Sequence, residues 1–129
     1  MKEALRGKNI LVADNKESIR KMIKLYLERS GYTFIEAKNG EEVQNYFLQY
    51  SPCLIVLEVS LPSKNNMHIY EWIRNERKSD VPIILMGTEN SEEKRLVWLK
   101  KGANDFLVKP FSPGELVIKI TKVLNKPAI

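Results

Sequence analysis

Four apolar runs in this chain end in polar residues that could do chemistry. Ile10-Leu11-Val12 leads into Asp14-Asn15-Lys16, and Leu54-Ile55-Val56-Leu57 leads into Glu58. The run from Val81 to Met86 leads into Gly87-Thr88, and Phe106 to Val108 into Lys109-Pro110-Phe111. If the runs are parallel strands of one sheet, these ends meet at its carboxyl rim, where open α/β sheets place their sites. Two carboxylates, Asp14 and Glu58, then face the Lys109 ammonium with Lys16 close by, and the formal charges sum to near zero. Such a set closes electrostatically without a metal ion. The remaining sequence holds no Ser/His/Asp set, Gly-rich phosphate loop or metal cluster, so no independent catalytic role is expected.

The elements that must position these residues alternate along the chain. Asn9 to Ala13 reads as a buried strand. The helix after it runs to about Ser30, with Ile19, Met22, Ile23, Tyr26 and Leu27 on one face and Gly31 as its left-handed stop. Thr33 to Ala37 is a second strand, and Glu41 to Tyr50 a helix with Val43, Phe47 and Tyr50 aligned. Cys53 to Leu57 is apolar at every position, as expected mid-sheet with both faces covered. A loop from Ser60 to Asn66 precedes a third helix with Ile69, Trp72 and Ile73 inward. Val81 to Met86 is strand four. Ser91 to Lys101 is helix four, with Leu96 and Leu99 inward and Trp98 partly exposed. Phe106 to Val108 is strand five. Ser112-Pro113-Gly114-Glu115 opens the last helix with a capping box and proline at its first position. Five strand-then-helix units predict an α/β fold, a doubly wound parallel sheet with helices on both faces.

Size and charge narrow the function classes. The 129 residues make one domain, 1–129, with its core between residues 10 and 124; 43% are hydrophobic and 29% charged, which argues against disorder. No apolar run is long enough to span a bilayer, and Met1 to Gly7 lacks a secretory signal. The lone Cys53 cannot form an internal disulfide, reads as a small hydrophobe, and fits a reducing cytoplasm. His68, without a second His nearby, reads as a solvated surface residue rather than a metal ligand. The net charge is +5, with Arg20, Lys21 and Lys24 on the first helix and Lys119, Lys122 and Lys126 on or just beyond the last. If those helices are neighbours, the lysines and arginine form either a basic strip for an acidic partner or an ordinary solvated face. Nucleic-acid binding through that strip is the weakest class, because no recognition motif accompanies it.

From Ile10 to Leu124 the chain resembles the receiver domains of bacterial two-component response regulators, with the CheY-like fold. The resemblance is carried by ILVADN (Ile10–Asn15), GYTFIEAKNGEE (Gly31–Glu42), PCLIVLEVSLP (Pro52–Pro62), VPIIL (Val81–Leu85) and GANDFLVKPF (Gly102–Phe111). It implies a flavodoxin-like three-layer α/β/α architecture with strand order 2-1-3-4-5. It also implies phosphorelay chemistry. Receivers use two adjacent acids after strand one and an aspartate after strand three to bind Mg²⁺, and the aspartate accepts a phosphoryl group from a histidine kinase. A Thr or Ser after strand four and a Lys after strand five then hold the phosphate.

Three of these five positions depart from the pattern. Asp14 is retained, but Asn15 replaces the second acid, Glu58 stands at the phosphoacceptor position and Gly87 replaces the hydroxyl residue; Lys109 is unchanged. Glutamate is one methylene longer, which displaces the carboxylate by roughly 1 Å, and a misplacement of that size costs on the order of 10²-fold in rate. Losing one anionic ligand weakens a hard divalent ion. No cofactor is therefore expected, with Mg²⁺ at most weakly held by Asp14, Glu58 and Ser60. On one reading Glu58 pairs with Lys109 and approximates a permanently occupied site. On the other it is a relic that pairs with any available cation. Phe106 occupies the aromatic switch position. Either Gly87 leaves it room to stay inward regardless of signal, or Thr88 supplies a displaced hydroxyl and Phe106 stays mobile. Asn66 replaces a usual glycine and tolerates left-handed geometry.

The resemblance thus implies an atypical receiver that signals by protein contact, through the face of the fourth helix, fifth strand and fifth helix. A slow phosphoacceptor using Glu58 or Asp14 is the alternative. The implied partner is a protein, a histidine kinase or an output domain, with nucleic acid reached only through an output domain and no membrane; a homodimer through that same face fits too. Lys126-Pro127-Ala128-Ile129 reads as a domain edge.

Overall fold

Apolar residues of this chain alternate between two faces of one sheet, and helices cover both. The computed structural model describes residues 8–64, 68–89 and 91–125. The readings for Asn66, for Met1 to Gly7 and for Lys126 to Ile129 lie outside the described residues.

The elements run β1 (Asn9–Ala13), α1 (Glu17–Arg29), β2 (Thr33–Ala37), α2 (Gly40–Tyr50) and β3 (Leu54–Glu58). Then come α3 (an α-turn over Ile69–Glu71 continuing as a π-turn over Trp72–Glu76), β4 (Ile83–Gly87), α4 (Glu92–Lys100), β5 (Asp105–Val108) and α5 (Pro113–Leu124). All strand pairs are parallel and the order is β2-β1-β3-β4-β5, the doubly wound flavodoxin-like arrangement expected. Ile10, Val12, Leu54, Val56, Ile84, Met86 and Leu107 pack beneath Ile23 and Leu27 of α1 and Leu116 and Ile120 of α5. Leu11, Ile55, Leu57, Ile83 and Leu85 face Val43 of α2 and Ile69 and Ile73 of α3. Fully burying each such side chain contributes about 1.5–3 kcal/mol.

Local chemistry sets the element ends. Asn39 caps α2 by accepting from the Glu42 N–H at 2.9 Å, while Glu42 reaches back to the Lys38 N–H at 2.9 Å. Ser112 Oγ accepts from the Glu115 N–H and caps α5. Gly31 (φ 91°) and Gly102 (φ 114°) take the left-handed conformation that ends α1 and α4.

Two local expectations need correction. Strand four begins at Ile83, not Val81: the Val81 N–H is taken by Ser79 Oγ, and Pro82 has no N–H to give a ladder. The third helix turns Ile69, Trp72 and Ile73 toward the core as expected, with a π-turn that widens the 3.6-residue spacing. Leu96 is not inward but 47% exposed. No α4 residue is fully buried; its hold on the sheet comes from the half-buried Trp98 and Leu99.

Arg74 ties α3 to the end of α4. Its guanidinium donates twice to the Gly102 carbonyl, at 3.0 and 2.7 Å, and once to the Ser79 carbonyl at 3.0 Å. A Cβ at Gly102 would lie 2.9 Å from Arg74 Nε on a backbone that already disfavours side chains, whereas a Cβ at Gly114 meets open space. Gly102→Ala is therefore expected to destabilise by more than about 1 kcal/mol, and Gly114→Ala to stabilise by about 0.4–1 kcal/mol. Urea unfolding of the two variants beside the parent checks both signs.

Candidate functional site

The sheet's parallel register brings the ends of β1, β3, β4 and β5 together. Asp14 follows β1, with its N–H bonded to the Ala37 carbonyl at 3.1 Å and its own carbonyl accepting from Arg20 Nη1 at 2.7 Å. Glu58 closes β3. Lys109 follows β5, fixed by a 2.7 Å bond from its N–H to the Gly87 carbonyl, and the Lys109–Pro110 bond is cis.

From those backbones the three side chains converge. Lys109 Nζ donates to Asp14 Oδ2 at 2.6 Å and also to Glu58 Oε2. The other Asp14 oxygen accepts from the Lys16 N–H at 2.8 Å, and the other Glu58 oxygen from Ser60 Oγ at 2.9 Å. Each of the four carboxylate oxygens thus has a donor. Asp14 is fully buried and Glu58 is 8% exposed. Lys16 contributes its backbone N–H, while its exposed side chain makes no ion pair with the set. The buried set therefore carries two carboxylates against one ammonium, a net −1 rather than near zero.

That imbalance separates the two acids. Burial opposes ionisation of Asp14, but Lys109, the Lys16 N–H and Glu58 outweigh it and hold the carboxyl below the usual range. Burial pushes Glu58 up, and sharing the site with Asp14 pushes it further, against partial relief from Lys109 and Ser60. Burial would pull Lys109 down, but its two carboxylate partners raise it above an ordinary lysine. Asp14 is thus the firmly charged partner and Glu58 the reluctant one.

The linkage follows from those directions. The raised Glu58 makes its protonation favour the fold, so stability rises as pH falls from neutral through its titration. The depressed Asp14 adds stability above its unfolded value, which is lost as pH falls through its folded one. The raised Lys109 adds stability that is lost only as pH rises through its folded value.

The switch residues lie beside this set. Phe106 is 6% exposed, and its ring stacks on Trp98 with centroids 5.0 Å apart and planes at 10°. Gly87 is the last residue of β4; a Cβ there would lie 2.8 Å from Val59 Cγ1 and 3.5 Å from the Phe106 ring. The structure places Thr88, Asn15 and Pro110 at the exposed rim. His68 is exposed, beside Tyr70, and Cys53 is half-buried.

Sequence reasoning missed two contacts. Arg20, grouped with the basic strip or solvated face, is instead buried, bound to the Asp14 carbonyl and paired with Glu36 at 3.2 Å. The Trp98 stack carried no spacing signal, and Ser60, expected only as a weak metal ligand, instead donates to Glu58. The basic strip is correspondingly thinned. Lys21 pairs with Glu17, and Lys119 with Asp105, each within its own neighbourhood.

Among the described residues no group of three His, Cys, Asp or Glu is placed to hold a metal ion, and no helix is long and apolar enough to cross a membrane. A model of the response regulator receiver domain matches residues 10–121. The phosphate regulon transcriptional regulatory protein PhoB of Pseudomonas aeruginosa is 36% identical over 121 residues, covering 93% of this chain and 53% of that protein. Response regulator GtcR of Aneurinibacillus migulanus is 34% identical over 120 residues, 93% of this chain and 49% of its own. The chain thus spans about half the length of these relatives. The crystal structure of chemotaxis response regulator CheY4 of Vibrio cholerae superposes with TM-score 0.81 at 28% identity, covering 89% of this chain and 97% of that one.

Removing Lys109 should expose what it holds. Lys109→Met leaves two buried carboxylates together and is expected to cost about 3–5 kcal/mol at neutral pH. The loss should shrink as pH falls and protonated Glu58 becomes a donor to Asp14. Glu58→Gln, which removes the reluctant charge, is expected to hold or raise stability. Urea titrations across pH distinguish the two.

Proposed function

The chain belongs to the response regulator receiver family, and from that premise we propose an atypical receiver that signals by protein contact, without phosphorylation at the position of residue 58. The carrying observation is the saturation of the Asp14 and Glu58 oxygens by Lys109, the Lys16 N–H and Ser60. A phosphoacceptor needs a free, in-line carboxylate and a neutralising cation. Here the carboxylate is lengthened by a methylene and bonded at both oxygens. A phosphoryl group on it would add charge to a buried set already at net −1, beside Asp14.

The family's Mg²⁺ fits this donor set poorly. The ion demands near-octahedral hard oxygen ligands, and the residues at the site offer two engaged carboxylates, the Ser60 hydroxyl and the exposed Asn15 amide. Glu58 on Lys109 places about one negative charge where a phosphate would bring about −1.5 to −2. That supports a pocket held in one state. Phe106, buried against Trp98, supports the same reading on the switch side.

The output is then a surface rather than a reaction. The exposed apolar residues Leu96, Val97 and Ile118 stand on α4 and α5, the face through which we assign contact with a protein partner, a kinase or an output domain, in the cytoplasm. Relatives named as transcriptional regulators are about twice as long as the matched segment, so any nucleic-acid contact is assigned to an output domain.

Incubation with acetyl phosphate and Mg²⁺, followed by intact-mass measurement, tests the reading. The chain is expected to stay unmodified, and the double variant Asn15→Asp, Glu58→Asp to gain a Mg²⁺-dependent phosphoryl adduct. A stable adduct on Glu58 or Asp14 of the parent chain would instead establish the slow phosphoacceptor.

A further inference from the structure

A cavity of about 320 Å³ opens on the same rim, between the start of α1 and the turn after β5. Ile19, Met22, Pro110 and Phe111 form its apolar wall, and Lys16, Thr88 and Lys109 its polar edge. We propose that it is a binding site for a small amphipathic carboxylate with a flat apolar body.

The lining dictates that class. Lys109 is committed to Asp14 and Glu58, so it closes one side of the cavity without a charge to offer. The Lys16 ammonium and the Thr88 hydroxyl have no hydrogen-bond or ion-pair partner among the described residues, and both are exposed at the mouth. A ligand anion therefore finds a cation and a donor at the rim, away from the net negative charge beneath. A dication finds lysines at the edge and no carboxylate oxygen beneath without a donor already, and a polyanion adds repulsion from Asp14 and Glu58 to a single available ammonium. Ile19, Met22 and Phe111 are each half-buried, so a planar hydrocarbon body laid on them removes their remaining apolar surface from water. The volume lies within the range of small-molecule sites, which combine a mostly apolar wall with a few convergent polar groups. The position, at the carboxyl ends of β1, β4 and β5, is where doubly wound sheets bind ligands.

The inference rests on the cavity and stands apart from whether Glu58 accepts phosphate. Its test is an NMR titration of the isotope-labelled full chain with 2-naphthoate, with uncharged 2-naphthamide as the control, in Mg²⁺-free buffer. Saturable shifts are expected at Lys16, Ile19, Met22, Thr88 and Phe111, with binding about tenfold weaker for the amide and for Lys16→Gln. Met22→Glu, which puts a negative charge on the wall, should abolish them while the remaining spectrum stays native. Three results would overturn the proposal: no saturation up to the probe's solubility limit, shifts centred on another face, or equal affinity for the carboxylate and the amide.

Discussion

One ammonium shared by two buried carboxylates constrains this end of the molecule. Lys109 can reach both Asp14 and Glu58 only because β1, β3 and β5 end at the same level, which parallel register provides, and because its own backbone is pinned to Gly87. The glutamate's extra methylene matters here. It carries the carboxylate toward the lysine and still leaves one oxygen for Ser60. An ion pair taken out of water stabilises little unless its remaining lone pairs are satisfied, and all four oxygens are. The surrounding residues are thus arranged around an inner set of charges that is complete in itself.

Completeness shifts the burden to the neighbours. Asp14 is held not only by Lys109 but from behind, where Arg20 binds its carbonyl and is itself anchored by Glu36 on β2. The brace links the first two strands to the pocket. On the far side, Gly87 leaves Val59 in the space that a side chain would claim, with the Phe106 ring at contact distance beside it. Phe106 in turn lies flat on Trp98, which is half of the modest grip α4 has on the sheet. A packed path therefore runs from the ionic set to the outermost helix.

Much of this was legible in the residues, for physical reasons that also explain the gaps. Runs such as Leu54 to Leu57 admit little but a central strand, and glycines at 31 and 102 mark helix ends because few residues accept positive φ. The meeting of Asp14, Glu58 and Lys109 at one rim followed from the fold class, and the strand order from the resemblance to receiver domains. The burial of Arg20 did not, because periodicity sees only apolar residues, and a charged side chain enters the interior when distant partners, here a carbonyl and Glu36, are waiting. Leu96 failed for the opposite reason. In α4 apolar residues occupy more than one face, so spacing alone could not choose between Leu96 and Trp98 as the inward one.

The same asymmetry explains why the two carboxylates cannot be treated as equivalent. Asp14 sits deeper, receives a backbone N–H as well as the ammonium, and ionises readily. Glu58 is slightly more exposed yet less willing, because burial and the neighbouring Asp14 outweigh what Lys109 and Ser60 return to it. A second anion arriving from outside meets a lysine with nothing left to give and a glutamate already near its limit. Any charged ligand that approaches this rim must therefore be held by groups outside the triad. Lys16 is that group: its backbone N–H serves the interior while its side chain lines the cavity.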